Sequence, residues 1–417
     1  MTRKVLLFTT VDWTSTARYA GGFAACRWNV DALAPKGAPV RLSRYVDGHY
    51  RYAALDALAS LKRAIQASRP DLVVACDDRA VAHLLRLYKD ELAKDAGSAI
   101  AALIRRSLGT PENFPEMISR AGSMRAAAEA GIRTPKTVAV ADEAELDAAL
   151  SQLGLPAVLK ADGSWGGDGV AVARSREEAV AAFRRLARPA SRLRNLARAA
   201  KRRDAHFLLE ALNPSKVRIS VQKFVAGRPS ASAFACWNGE VAATIHYDVL
   251  VSDGQIGPPN VIRRVDCAQM EEASRRVAKR FGLSGIYGLD FIRDAAGKVH
   301  LIEINPRTTQ GGTLAFGDGR DMPQALAACV TCATSPRREA IANDVVAFFP
   351  AEWQRDAQSP YLLSGHHNVP WDDPKVLKHC FDSLPHSQSP ARKAAIEMLL
   401  VSAPEPHRDV LALAGEM

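Results

Sequence analysis

Aromatic residues make up only 6% of this 417-residue sequence, so a base-stacking surface for single-stranded nucleic acid is not expected. No run approaches the roughly 18 consecutive apolar residues of a membrane-spanning helix. Met1 to Thr10 is too short in its apolar part for a secretory signal peptide, and Val5 to Phe8 reads better as a first strand. The seven cysteines are odd in number and widely scattered. That pattern does not suggest a disulfide framework and points to a reducing cytoplasm. Cys329 and Cys332 form a lone C-x-x-C in an apolar helical stretch, without the second pair or nearby His ligands of a metal site. No G-x-G-x-x-G follows the first strand, which argues against a dinucleotide site, and no G-K-[ST] closes a Walker loop.

What is present is ordinary for a soluble globular protein: 47% hydrophobic and 24% charged residues. The length exceeds one compact core, so two or three domains are expected. The formal net charge is +10. Nine cations fall between Arg184 and Arg203 (Arg184, Arg185, Arg188, Arg192, Arg194, Arg198, Lys201, Arg202, Arg203), with no acid among them. The rest of the chain is close to neutral. This is a neutral protein with a basic segment. The segment reads either as a solvated helical insert or as a docking face for an acidic substrate, an acidic carrier or a membrane surface. Nucleic acid is not the expected partner.

Residues 1–115 alternate strands and helices. Lys4 to Phe8 is a strand, and Tyr52 to Ser68 has helical apolar spacing at Leu55, Leu58, Leu61 and Ile65. Asp71 to Cys76 is a buried strand, and Asp78 is placed to cap the helix after it. The alternation implies a parallel sheet and an α/β domain. Ser119 to Gly131 is a further helix. Asp142 with Glu145, and Ser175 with Glu178, have capping-box spacing. Leu146, Leu150 and Leu153 line the first of these helices, and Val180 and Phe183 the second. Gly154 and Pro156 stop the first. Strands resume near Arg218 and run to about Asn305. Residues 336–417 read as a less regular C-terminal extension.

Three segments carry chemistry. Residues 156–172 place two short apolar strands around a glycine-rich loop, with Lys160 on the first strand and Gly163, Gly166, Gly167 and Gly169 in the loop. Glycines let backbone N–H groups approach phosphate, and a lysine supplies counter-charge. Alone, the pattern also fits a plain β-hairpin. Residues 288–307 read as a hairpin turning at Ala296 and Gly297, which sets Asp290 directly opposite Glu303. Asn305, two residues on, shares their face, and Leu289, Phe291, Ile302 and Ile304 take the other. Opposed carboxylates repel, so the arrangement calls for a cation. All-oxygen ligands suit a hard ion such as Mg²⁺. Arg307 ends the strand, placed to meet phosphate. The third segment, Val221 to Gly227, could present backbone groups to a purine edge, and by itself is also an ordinary strand end.

In this order and spacing the three segments resemble the ATP-grasp superfamily over roughly residues 115–330, with similarity to carboxylate-amine ligases and to the carbamoyl-phosphate synthase and biotin carboxylase group. The resemblance implies an N-terminal parallel α/β domain (1–115), then a two-lobed ATP-grasp fold of α+β type (116–335) and a C-terminal extension (336–417). The small lobe covering ATP would span about 135–225. ATP and Mg²⁺, with Mn²⁺ as an alternative, are the implied cofactors. Lys160 would bind the α- and β-phosphates, and Gly163, Ser164, Trp165, Gly166, Gly167, Asp168 and Gly169 would fold over the triphosphate. Arg120 stands where the family commonly has a phosphate-binding Lys. The adenine hinge matches Gln222, Lys223, Phe224 and Val225, with Gln222 in place of a frequent Glu. After the hinge, Gly227 to Pro229 lacks the family's usual acidic residue, so the ribose contact has no match. Asp290, Glu303 and Asn305 match the metal ligands, and Arg307 the arginine at the transferred phosphate.

The resemblance implies a ligase that activates a carboxylate as an acyl phosphate and couples it to an amine. A carboxylate kinase, a carbamoyl-phosphate-type reaction and a nucleotide-binding regulator stay open. Arg263, Arg264, Thr308 and Gly311 are candidates for the substrate side. His246 and Trp237 read as packing residues. Dimers are common among similar ligases, so a homodimer is a further expectation.

Overall fold

The computed structural model describes residues 3–163, 169–188, 217–254 and 257–382, with 195, 197–199, 207, 208 and 212 in between. Ser164, Trp165, Gly166, Gly167 and Asp168 of the glycine loop lie outside the described residues, as do 189–194, 196 and 200–203 of the basic segment.

The N-terminal part is a parallel sheet in the order β3-β2-β1-β4. Its strands are β1 (Lys4–Phe8), β2 (Asn29–Ala34), β3 (Gly48–Arg51) and β4 (Leu72–Ala75). Val5 to Phe8 and Leu72 to Ala75 are buried, as continuous apolar runs covered on both faces should be. The helix over the second segment runs only Ala57–Ser68, and Leu55 stands 69% exposed in the turn before it. Strand order reverses beside β1, with β2 on one side and β4 on the other. In parallel α/β sheets ligands collect at the C-terminal strand ends of such a point. Here those ends carry Thr9 to Trp13 and Cys76 to Arg79.

The cap of the helix Asp78–Lys94 is Asp77, not Asp78. The Asp77 carboxylate accepts from the Ala80 N–H (2.9 Å) and from the hydroxyls of Thr9 (3.0 Å) and Thr10 (2.8 Å). It therefore ties the β1 and β4 ends together and frees Asp78 for another partner. Asp142 and Ser175 do cap their helices, bonded to the N–H groups of Glu145 (2.8 Å) and Glu178 (3.2 Å). Each glutamate reaches back to the N–H just before the cap residue, at Ala141 and Arg174.

The second sheet has seven strands in the order β13-β12-β9-β10-β11-β14-β15. These are β9 (Arg228–Trp237), β10 (Glu240–Ser252), β11 (Pro259–Arg264), β12 (Gly285–Arg293), β13 (Val299–Asn305), β14 (Val345–Phe348) and β15 (His366–Asn368). The C-terminal extension thus supplies two strands to this sheet. The third sheet is small and antiparallel, in the order β5-β8-β6-β7. It comprises β5 (Thr137–Val140), β6 (Ala157–Ala161), β7 (Val170–Ala173) and β8 (Ile219–Lys223).

Two large cores join the N-terminal sheet to the seven-stranded one. Phe8, Val81 and Leu84 pack in one cluster with Phe234, Phe281 and Tyr287, and Val5, Tyr19 and Phe23 pack in another with Ala233, Ile245 and Phe348. The small sheet keeps a core of its own, with Leu146, Leu159, Phe183 and Val221. Burying each such large side chain is worth roughly 1.5–3 kcal/mol, so the first two sheets form one body while the third is a separate lobe.

A fourth cluster, with Val261, Phe349, Trp353 and Phe381, covers β14 and β15. His367 lies edge-on to Phe349, with ring centroids 5.6 Å apart, and neither ring nitrogen has a partner among the described residues. Burial, reinforced by His366, pushes its pKa down to about 4. A histidine neutral in the fold but titrating near 6.5 when unfolded stabilises the fold above pH 6.5. It loses that contribution as pH falls toward 4, because the unfolded chain takes up the proton first. At pH 5 the loss is about 2 kcal/mol. His367→Phe should remove this component, so the fall in Tm between pH 7 and pH 5 becomes smaller than in the wild type. An identical fall in both proteins would contradict the assignment.

Candidate active site

The site is built on the β12–β13 hairpin. Asp290 pairs with Glu303 and Gly288 with Asn305, so the two carboxylates face each other and the amide stands on the same face. The turn itself differs from expectation. The Asp294 N–H bonds to the Lys298 carbonyl at 3.0 Å, Gly297 adopts φ +74°, and Arg293 pairs with Val299. That register is one residue short of the one at the site. A β-bulge between the pairs Asp290–Glu303 and Phe291–Leu301 makes up the difference, with Ile302 as the extra residue. Ile302 is therefore not a simple member of the apolar row.

The bulge has a chemical consequence. The Ile302 carbonyl accepts from Lys160 Nζ at 3.0 Å and from Gln222 Nε2 at 3.3 Å. Lys160 sits on β6 and Gln222 on β8, neighbouring strands of the small lobe. Both side chains are buried. Gln222 also donates to Thr137 Oγ1 at 3.0 Å. Lys223 gives its N–H to the Lys136 carbonyl at 2.9 Å, and Phe224 is 37% exposed. The base of the glycine loop is closed by Ala161 N–H on the Gly169 carbonyl (2.8 Å), and Gly163 has φ +72°.

Among the described residues, three cations surround the carboxylates. Arg120 forms an ion pair with Glu303 at 2.7 Å and donates Nε to the Ala161 carbonyl at 3.2 Å. Lys160 is the second. Arg307 is the third: its Nε donates to Asp78 at 3.1 Å, its Nη1 to the Thr308 carbonyl at 3.0 Å, and its guanidinium carbon lies 5.1 Å from the Trp13 ring centre. Asn305 Nδ2 donates to Asp290 at 3.0 Å.

The electrostatics follow. Burial, then Glu303, pushes the Asp290 carboxyl up to about 6. Burial acts the same way on Glu303, but Arg120 and Lys160 outweigh it and hold this carboxyl below its ordinary range. Burial, aided by Arg120, lowers the Lys160 ammonium to about 8 against the pull of Glu303 and Asp290. Burial would also lower Arg307, but Asp78 and the two carboxylates reverse it. Two carboxylates and an amide side chain stand on one face, the amide turning its Nδ2 to Asp290, and one carboxylate is destabilised by the other. That donor set fits a hard divalent ion.

The remaining candidates divide. Thr308 is buried and its N–H meets the Ala75 carbonyl (3.2 Å), which brings the end of β13 to the end of β4. Tyr19 donates to the Thr309 carbonyl at 2.7 Å. Gly311 lies against Tyr247, where an added Cβ would stand 2.5 Å from the ring. Arg263 and Arg264 are not brought to the carboxylates. Arg263 lies opposite Asp248 on the face away from Asp290. Arg264 shares the face of Asp290 but lies three strands away, roughly 14 Å. Its charge is spent on Asp344 (2.7 Å) and Asp266 (3.0 Å). His246 is also on the far face, bonded to Ser232 (2.7 Å) and Glu271 (3.0 Å). In the basic segment, Arg184 pairs with Glu143 at 2.7 Å and Arg198 lies over Phe207. Sequence reasoning missed Trp13 and Asp78 at the site. Asp78 is 229 residues from Arg307, and its acidic neighbour Asp77 gave the same capping signal.

Residues 125–320 match the ATP-grasp domain. No curated protein matches the chain. Among solved structures, it is similar to carboxyaminoimidazole ribonucleotide synthase from Aspergillus clavatus, complexed with ATP, at 15% identity and a TM-score of 0.56, covering 78% of this chain and 77% of that one. It is also similar to the biotin carboxylase domain of Hydrogenobacter thermophilus 2-oxoglutarate carboxylase, a dimer complexed with MgADP, ADP and bicarbonate (17%, TM-score 0.55, 82% and 71%). A third is phosphoribosylglycinamide synthetase from Anaerococcus prevotii (14%, TM-score 0.52, 80% and 76%). At these identities the likeness is one of fold.

Lys160 titrating near 8 has a measurable consequence for binding a polyphosphate. An anion seated on Lys160 favours its charged form, so binding at pH 8.5 should draw a proton from solution, while binding at pH 7 should draw little. Calorimetry of ATP binding in two buffers of different ionisation enthalpy measures this. No proton uptake at pH 8.5 would contradict the placement of phosphate at Lys160.

Proposed function

We propose, for a chain whose residues 125–320 form an ATP-grasp domain, that it is an ATP-dependent ligase that activates a carboxylate as an acyl phosphate and joins it to an amine, releasing ADP and phosphate. The observation that carries this reading is the gathering of Lys160, Arg120 and Arg307 around the opposed pair Asp290 and Glu303. Three cations and a two-carboxylate metal seat fit a triphosphate poised for transfer better than any single acid–base pair would.

In this reading Asp290, Glu303 and Asn305 would hold Mg²⁺, which would supply positive charge against the triphosphate. Lys160 leaves the Ile302 carbonyl for the α- and β-phosphates, and Arg120 adds charge beside it. The glycine-rich segment Gly163 to Gly169 binds phosphate in the same reading, its residues Ser164, Trp165, Gly166, Gly167 and Asp168 lying outside the described ones. The purine lies along Gln222 to Val225. Because the Lys223 N–H is engaged by Lys136, Val225 is the better donor to the ring. The acceptor carboxylate attacks the γ-phosphorus beside Arg307, the P–O bond to ADP breaks, and the amine then displaces phosphate from the acyl phosphate. Positioning and charge neutralisation do most of the work in such transfers. A single donor such as Arg307 is worth roughly 3–4 kcal/mol in the transition state. Thr308 and Gly311 border the acceptor. The boundaries 1–115, 116–335 and 336–417, a cytoplasmic location and a homodimer belong to the same proposal. Docking of an acidic carrier or membrane surface at 184–203 does too, although Arg184 and Arg198 have partners within the chain.

A screen of carboxylates against amines for ADP release, with mass spectrometry of the product, tests the ligase reading. One pair should stimulate release and give an amide. Stimulation by a carboxylate alone, with no amide product, would replace the ligase by a kinase. Glu303→Gln and Lys160→Ala should each abolish turnover while leaving circular dichroism and Tm near wild type. Near-normal turnover in folded Glu303→Gln would sink the metal seat.

A further inference from the structure

The two loops at the C-terminal ends of β1 and β4 meet one side chain from the bend just after β13, Arg307. Its guanidinium is held on three sides. Asp78 takes Nε in the plane at 3.1 Å, the Thr308 carbonyl takes Nη1 at 3.0 Å, and the Trp13 indole covers one face at 5.1 Å. Nη2 has no partner among the described residues. The side chain is only 14% exposed. A long arginine loses much rotamer freedom when fixed, and a planar fork fixed in plane and on its face presents the remaining N–H groups in one direction.

The holders are themselves fixed. Asp78 follows Asp77, whose carboxylate is locked by Ala80, Thr9 and Thr10. Trp13 directly precedes the helix Thr14–Ala25, which packs into the shared core through Tyr19 and Phe23. An ion pair between sheets needs no aromatic lid and no free fork edge, and this one has both.

We infer that Asp78 and Trp13 of the N-terminal domain are positioning residues that aim Arg307 at the γ-phosphoryl group. This rests on the ligase reading above. The N-terminal domain then contributes to phosphoryl recognition through the arginine, without either residue touching the nucleotide.

The test needs no knowledge of the acceptor. The full chain is titrated with MgADP, and with MgADP plus beryllium fluoride, which takes the place of the γ-phosphoryl. The wild type should bind the second more tightly than the first. Asp78→Asn should keep the MgADP affinity and lose about ten- to hundredfold of the extra affinity, the scale of a charge-assisted hydrogen bond. Trp13→Ala should act in the same direction, and Trp13→Phe should recover part of the gain, because a phenyl face attracts a cation less than indole does. If Asp78→Asn fails to fold by circular dichroism, the two Trp13 variants carry the test. Full gain in Asp78→Asn and Trp13→Ala overturns the inference. So does loss of MgADP affinity in the same proportion, which marks a general structural defect. So does a wild type that binds MgADP with no gain from beryllium fluoride. A wild type that binds no MgADP at all would instead remove the ligase reading, and this inference with it.

Discussion

Two carboxylates placed opposite each other in an antiparallel ladder repel, and everything at this site answers that repulsion. Asp290 and Glu303 are fixed at that spacing by backbone pairing, not by choice of rotamer. The chain relieves the strain in two ways. Arg120 neutralises Glu303, and Asn305 donates to Asp290. The relief is uneven: Glu303 stays below the ordinary carboxylate range while Asp290 is pushed up to about 6. A pair so arranged is poor as a structural element and good as a seat for a divalent cation.

The three sheets divide the work around that pair. The seven-stranded sheet supplies the carboxylates and shares two apolar cores with the N-terminal sheet, so Arg307, Thr308 and the β1 and β4 ends are held in one body. The small lobe has its own core and meets the site through Lys160 and Gln222 on one carbonyl and through the Arg120 contact to Ala161. Such hydrogen bonds contribute about 1 kcal/mol for a neutral donor such as Gln222 and about 1.5–3 kcal/mol for a charged one such as Lys160 or Arg120, and phosphate or water can take their place. The sequence of the lobe thus combines a firm interior with an exchangeable contact to the carboxylates, which suits a cover that must admit and release a nucleotide.

Much of this was legible in the chain, for a physical reason. Strand alternation forces Asp290, Glu303 and Asn305 to one face once the hairpin register is known. The register was right at the site although the turn was misjudged by one residue, because the bulge at Ile302 restores it. Bulges leave little trace in an apolar pattern, so the Ile302 carbonyl that receives Lys160 and Gln222 could not be read. The capping boxes at Asp142 and Ser175 were visible because they are local. Asp78 was not, because its partner is Arg307, far along the chain, and two adjacent aspartates offered the same capping signal. Arg263 and Arg264 looked like an anion site, but charge pattern alone does not reveal that Asp344 and Asp266 are folded against Arg264. The basic segment has the same lesson in part: Arg184 and Arg198 already have intramolecular partners.

We propose that the opposed pair is a metal seat coupled to nucleotide binding. The most direct measurement is the affinity for ATP with and without Mg²⁺, in the wild type and in the double variant Asp290→Asn, Glu303→Gln. Mg²⁺ should strengthen binding in the wild type and have little effect in the variant, which should still bind metal-free ATP through Lys160. Equal strengthening by Mg²⁺ in both proteins would contradict a metal seat at this pair.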